Sequence, residues 1–307
     1  MKNVPSVAIV SMKDNNGGAF YASYRLLQGL IKFDFSAHML VQIKHSQNPK
    51  VIKLSGKENK ISNLLRKSIT KIIIKLLGNK NNPDQTLALY SSGLGQEINK
   101  YPADVINLHW VAGEMLSIKE ISKISKPVIW TLHDFWAIQG IAHYDSRNYG
   151  PDTIKSIIDL EKIALKKKIK FWKRPVHIVV PSNYVSSIIK SSELMKDWPI
   201  KVIPNIIDTN VFQPLDKSNC RINSKLDVNK TIILFGAFAG IVNKNKGFEI
   251  LMKALDEINI NLPDNTELVI FGQNEPLDFK YGKFKKLKWV GHIDDESQLS
   301  ELYNSAD

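Results

Sequence analysis

Short apolar runs alternate along the chain with longer segments whose apolar residues recur at helical spacing. The runs predict strands at Val7–Ser11, Ala37–Ile43, Val105–Leu108, Val128–Leu132 and Ile178–Val180. The longer segments predict helices over Gly18–Phe33, Ile61–Leu77, Ile118–Ile124, Thr153–Lys168 and Tyr184–Ser191. The strand runs are rich in Val and Ile and do not alternate strictly with polar residues, as expected of strands buried on both faces. Strand–helix alternation of this kind predicts an α/β fold with a parallel sheet covered by helices.

The pattern breaks after Pro204-Asn205-Ile206-Ile207-Asp208, where Gln213-Pro214 leads into the polar stretch Asp216–Lys230, and then restarts. Strands are expected at Thr231–Phe235, Glu267–Phe271 and Leu287–Val290, with helices over Gly247–Ile258 and Ser297–Asn304. This reading gives an N-terminal Rossmann-like domain at 1–204, a linker at 205–230 and a second Rossmann-like domain at 231–307. Doubly wound domains usually have about five or six strands, so three make the second domain look incomplete: either the chain is a fragment, the favoured reading, or a partner completes the sheet.

Charge changes this picture more than overall composition does. The 307 residues are 43% hydrophobic, enough for packed cores, and the single cysteine, Cys220, excludes an internal disulfide framework. Val7-Ala8-Ile9-Val10 is too short for a signal-peptide core, and no apolar run approaches the ~20 residues of a membrane span. The expected location is the cytoplasm, at most peripheral on the inner face of the cell membrane. The net charge of +12 is concentrated: residues 44–80 carry ten Lys/Arg against one acid, and 162–174 carry seven against none. In the first patch Ile61, Leu64, Leu65, Ile69, Ile72, Ile73 and Leu76 share one side of a helix, with Lys67, Lys71 and Lys75 largely opposite. That suits a helix on an anionic membrane surface, and equally a helix covering the sheet. No nucleic-acid-binding module accompanies the charge, so nucleic acid is not an expected partner.

Ligands of open parallel sheets bind beyond the carboxyl ends of the strands, so polar residues there are the candidates. After the first strand come Gly17 and Gly18, opening a helix whose N-terminal N–H groups suit an anion, although a plain tight turn accounts for them equally well. Two later strands end in His109-Trp110 and His133-Asp134. Neutral imidazoles there could hydrogen-bond sugar hydroxyls or relay protons, and Trp110 and Trp136 could form a platform for a sugar ring or simply pack. In the second half, Lys246-Gly247 at a helix start suits a diphosphate, whose charge both the ammonium and the helix end stabilise. No metal-ligand spacing stands out.

Several segments, in order over nearly the whole chain, resemble the family-4 retaining glycosyltransferases, whose GT-B architecture has two Rossmann-like domains. They are Gly17-Gly18-Ala19-Phe20-Tyr21-Ala22, Asp104-Val105-Ile106-Asn107-Leu108-His109-Trp110, Trp130-Thr131-Leu132-His133-Asp134-Phe135-Trp136, Val180-Pro181-Ser182 with Val202-Ile203-Pro204-Asn205-Ile206-Ile207-Asp208, and Leu234-Phe235-Gly236-Ala237 with Lys246-Gly247-Phe248. The His-Trp and Trp-Thr-Leu-His-Asp segments are similar to those of a subgroup that builds extracellular or capsular polysaccharide. The resemblance implies transfer of a sugar from a nucleotide diphosphate sugar to a hydroxyl of a glycan or lipid-linked acceptor, with retention and without a metal cofactor. It implies that His133 is catalytic beside the donor sugar, and that Gly17, Gly18, Lys246 and Gly247 serve the diphosphate. His109, Trp110, Asp134, Ser182 and Asn205 would line the acceptor and sugar. Ala237 stands where many members have arginine, Ile206 stands where glycine is common, and the family's spaced glutamate pair would lie beyond Asp307. A non-catalytic nucleotide- or glycan-binding subunit and a sugar-nucleotide epimerase on the same fold are the alternatives.

Overall fold

The computed structural model describes residues 4–15, 17–56, 60–78, 84–144, 158–236, 244–258, 261–279 and 282–307, without the side chains of 60–63 and 244. Contacts divide it into two compact units, 1–206 and 207–307.

The first unit is built on seven parallel strands: β1 (Val7–Lys13), β2 (Ala37–Ile43), β3 (Val51–Lys53), β4 (Val105–Leu108), β5 (Val128–Thr131), β6 (His177–Val180) and β7 (Ile200–Val202). Their order is β3-β2-β1-β4-β5-β6-β7, so the direction of winding reverses between β1 and β4. Successive residues of β1 enter opposite layers: Ala8 and Val10 pack with Ile106, Leu108 and Trp130, whereas Ile9 packs with Leu27, Met39 and Val41. This two-sided burial is why the strand runs lack polar alternation. The helices are α1 (Gly18–Lys32), α2 (Lys60–Leu77), α3 (Leu94–Lys100), α4 (Ile118–Ser122), α5 (Leu160–Phe171) and α6 (Asn183–Lys190). Ser117 and Glu120 close a capping box on α4, and Glu120 also accepts the Ser92 N–H at 3.0 Å.

Strands and helices fall within a few residues of their expected bounds, with three differences. β3, β7 and α3 are additional; β3 and β7 have only three residues each, too few to show a pattern. Helix α5 begins at Leu160, and residues 153–157 of the expected helix lie outside the described residues, as does the polar loop at 79–82. Helix α2 forms as expected but its apolar residues divide between two faces. Ile73, Ile74 and Leu77 pack on the core with Arg66 and Thr70 buried beside them, while Leu64, Leu65, Ile69, Ile72 and Leu76 are exposed. Lys71 and Lys75 share the exposed side rather than opposing it.

In the second unit β8 (Thr231–Gly236), β9 (Thr266–Phe271) and β10 (Leu287–Gly291) form a parallel sheet of order β10-β9-β8. Residues 207–230, expected to be linker, pack here. Within them α7 (Lys217–Asn223) lies against α9 (Glu296–Asn304), and buried Arg221 donates to the carbonyls of Ser305 and Val228 at 3.0 and 2.8 Å. On the opposite face Phe248 and Leu255 of α8 (Phe248–Ile258) pack on Leu268 and Ile270.

Gly140 fixes the turn after β5 against α5. A Cβ there would lie 2.1 Å from the Glu161 carbonyl oxygen and 2.5 Å from its Cα, so backbone would have to move. Gly140→Ala is expected to destabilise the protein by about 1–3 kcal/mol. Gly18→Ala, with no atom within 4 Å of the new Cβ, should stay within about 0.5 kcal/mol of wild type. Urea unfolding of both variants checks this, and equal stabilities would contradict the packing at Gly140.

Candidate functional site

The reversal between β1 and β4 opens a crevice at the carboxyl ends of the strands, where open parallel sheets bind ligands. Leu108 of β4 pairs with Trp130 of β5, so the residues just beyond these strands emerge side by side. They are the two sequence-predicted histidines. His109 Nδ1 lies 2.9 Å from His133 Nε2, and the rings stack with centroids 5.1 Å apart.

Burial disfavours the charged form of both rings. His109, 4% exposed, is held well below the ordinary histidine range by burial and then by repulsion from His133. Burial lowers His133 to about 4, against a smaller upward pull from Asp134. Both rings are therefore neutral near pH 7, and one proton lies between them. His109 Nε2 is buried without a partner. A buried unpaired acceptor is more readily tolerated than an unpaired N–H. We therefore assign the shared proton to His109 Nδ1, donating to His133 Nε2. His133 then carries its own proton on Nδ1, which has no partner among the described residues and can donate to a ligand.

Asp134 organises the adjoining wall. One oxygen accepts Trp110 Nε1–H at 2.8 Å and the His143 Nδ1–H at 2.6 Å, and the other accepts the Trp136 N–H at 3.0 Å. Burial raises the Asp134 carboxyl, but the His143 interaction and these donors outweigh it, leaving the group below the ordinary carboxylate range. With so many donors it acts as an anchor rather than a base. His143 Nε2 lies 2.8 Å from Thr86 Oγ1, which accepts the Gly113 N–H at 3.0 Å. Gly113, Thr86, His143 and Asp134 thus form one hydrogen-bonded chain. Trp110 stacks on His143 at 5.4 Å. These groups line an open polar pocket of about 220 Å³ among Thr86, Trp110, Gly113, Asp134 and His143.

Lys168 holds the turn that carries this wall. Fully buried, its ammonium donates to the carbonyls of Trp136, Gln139 and Gly140, the latter two at 2.8 and 2.7 Å, and lies 4.0 Å from the Trp136 ring centroid. Its pKa is pushed well down by burial, against an upward pull from Glu161 and Asp134.

The other expected residues occupy different settings. Gly17 has φ +123°, a conformation that favours glycine, and no described side chain caps α1 behind it. Phe20 of α1 meets Trp110 edge-on at 5.7 Å, bringing that helix start to the same strand ends. Ser182 spends its hydroxyl capping α6, accepting the Val185 N–H at 3.3 Å, and Asn205 is exposed. Trp136 is 2% exposed and is core rather than platform; Trp110 is half-buried and lines the pocket. Lys246 and Gly247 belong to the second unit, where Lys246 is exposed in a 3-10 turn and Gly247 has φ +74°. Ala237 lies outside the described residues. Sequence reasoning missed His143, Thr86 and Lys168, none of which stands in a recognisable spacing. A second cavity, about 250 Å³, lies among Trp130, Trp172, Arg174 and Trp198 beyond the amino ends of β5–β7, away from all the candidate chemistry. Among the described residues no cluster of three His, Cys, Asp or Glu could hold a metal, and no helix is long and apolar enough to cross a membrane.

A family model for glycosyltransferase family 4 matches residues 17–211. No curated protein sequence matches the chain. Among solved structures, sucrose-phosphate synthase of Thermosynechococcus elongatus is similar at a TM-score of 0.64 and 14% identity, over 98% of this chain and 74% of that one. HepE of Anabaena, solved in complex with UDP-glucose, is similar at 0.56 and 14%, over 99% and 72%. WaaG, a glycosyltransferase involved in lipopolysaccharide biosynthesis, gives 0.57 and 14%, over 98% and 73%. The architecture is thus that of GT-B glycosyltransferases.

The histidine pair carries a pH signature. Between about pH 4 and the ordinary histidine value, the unfolded chain binds protons that folded His133 does not, so stability falls on acidification through that window. The His133 share is about 3 kcal/mol at most. Urea unfolding from about pH 7.5 down to pH 4 should show wild type losing more stability than His133→Gln by up to that amount. Parallel profiles would contradict the buried neutral ring.

Proposed function

Because the chain belongs to glycosyltransferase family 4, we propose that it transfers a sugar from a nucleoside diphosphate sugar to an acceptor hydroxyl with retention of configuration, in surface polysaccharide or glycoconjugate assembly. The observation that carries this reading is the neutral His133 at the strand ends, backed by His109 and adjoining the polar pocket. The complex of HepE with UDP-glucose and the involvement of WaaG in lipopolysaccharide biosynthesis are consistent with it.

Glycosyl transfer develops positive charge at the anomeric carbon as the bond to the leaving group breaks. An imidazolium beside that carbon would oppose the charge. A ring kept neutral by burial can instead donate from Nδ1 to a donor-sugar hydroxyl and hold the sugar in place. The departing diphosphate gains negative charge, which the Lys246 ammonium and the N–H groups after Gly247 would stabilise without a metal ion; in the first unit the helix start at Gly17 and Gly18 offers N–H groups of the same kind. The acceptor would lie against Trp110 in the pocket of Thr86 and His143, with Asp134 fixing both rings. Ser182 and Asn205 would contribute to the outer lining.

Release of nucleoside diphosphate from uridine and guanosine diphosphate sugars, with acceptor and EDTA present, tests the reading. His133→Ala and Lys246→Ala should each lower kcat/KM by roughly 10²–10⁴-fold, and EDTA should change nothing. Wild-type turnover in both variants would overturn the site, and binding of nucleotide with no turnover by wild type would favour a non-catalytic subunit.

A further inference from the structure

Helix α2 turns the wrong side outward for a helix whose only task is to cover a sheet. Leu65, Ile69, Ile72 and Leu76, at spacings of four, three and four residues, form a continuous stripe on its exposed side, with Leu64 beside them. Their exposures are 56%, 47%, 56% and 70%, and Leu64 is 68% exposed. Beneath them polar groups face inward: Thr70 is 1% exposed, and Arg66, 7% exposed, donates to the Glu114 carbonyl. The Arg66 contact and the packing of Ile73, Ile74 and Leu77 on the core fix the helix in this orientation, so the outward stripe is not a packing alternative that the fold could reverse.

Lys71 and Lys75 run along one edge of the stripe, on the same exposed side. They belong to the segment 44–80 with ten basic residues and one acid. We propose that this face of α2 docks on an anionic lipid bilayer, the stripe entering the acyl boundary and the lysines meeting lipid phosphates. Apolar area and cationic charge on one helical face are the two quantities that set such binding. A second copy of the chain is the poorer occupant, because it would bring two copies of the same strongly basic segment together.

The placement of α2 gives this docking a use. Gly78, just after the helix, is closed against Gln85 of the polar pocket, since a Cβ on Gly78 would lie 2.6 Å from Gln85 Oε1. Arg66 holds the carbonyl of Glu114, the neighbour of Gly113, whose N–H binds Thr86 in that pocket. Helix α2 therefore ties into the pocket's wall, and docking its outer face would hold the chain close to a bilayer that carries a lipid-linked acceptor. The docking itself needs no turnover and stands apart from the catalytic reading.

Co-sedimentation of the whole chain with phosphatidylglycerol–phosphatidylcholine vesicles, and with phosphatidylcholine vesicles alone, tests the proposal. Wild type should bind the anionic vesicles, weaken with salt and bind the neutral ones poorly. I69D/I72D should bind at least about tenfold more weakly, and K71E/K75E should weaken by on the order of fivefold per lysine or more. L65S/L76S, which alters no charge, keeps the test decisive if the aspartate pair fails to fold. No binding of wild type to anionic vesicles, or full binding by the folded stripe variants, overturns the proposal. Loss with the stripe variants but not with K71E/K75E overturns its anionic part. A wild-type dimer that I69D/I72D dissolves, seen by sedimentation velocity without vesicle binding, assigns the face to a second copy instead.

Discussion

The central strands of the first unit are buried on both faces, and that confines polar chemistry to their ends. Ala8, Ile9 and Val10 are each fully enclosed, one side chain after another entering alternate layers. No polar side chain can leave such a strand midway without losing its hydration. The reversal of winding between β1 and β4 then decides which ends face open space, and His109, Trp110, His133 and Asp134 all follow from that choice.

Burial at those ends is deep enough to set protonation. His109 is buried and His133 half-buried, so burial disfavours a charge on either ring, and they share one hydrogen bond. Next to them the same lack of solvent is handled differently. Asp134 keeps its charge because Trp110, Trp136 and His143 surround it with donors, and Lys168 is held by carbonyls and indole faces. Two neutral rings and one anchored carboxylate thus sit within a single hydrogen-bonded wall. The wall is rigid on one side through Lys168 and tied on the other, through Gly113 and Glu114, to α2.

Much of this was legible in the sequence because strand period and strand-end position are local properties. The Val- and Ile-rich runs located β1, β2, β4, β5 and β6, and the residues following β4 and β5 identified the histidine pair before any contact was known. Partners brought in from a distance left no such trace. His143 reaches Asp134 across a nine-residue turn, Thr86 precedes β4 in an irregular segment, and Lys168 looks like one more member of a basic run. Helix α2 marks the limit of pattern reading most clearly. It carries apolar residues on more than one face, and the tertiary contacts of Ile73, Ile74 and Leu77 with the core and of Arg66 with Glu114 set which of them turn inward. The segment 207–230 reads as polar and linker-like, yet it packs through a buried arginine that binds the Ser305 carbonyl far along the chain.

The chemistry of the site depends on His133 being a neutral ring that presents its Nδ1 proton. Long-range ¹H–¹⁵N correlation spectra of histidine-labelled protein read both properties directly, with His133→Gln giving the assignment. The His133 ring is expected to be neutral, with its proton on Nδ1, from neutral pH down to nearly its folded-state pKa of about 4. A ring that titrates near the ordinary histidine value, or that carries its proton on Nε2, would contradict it.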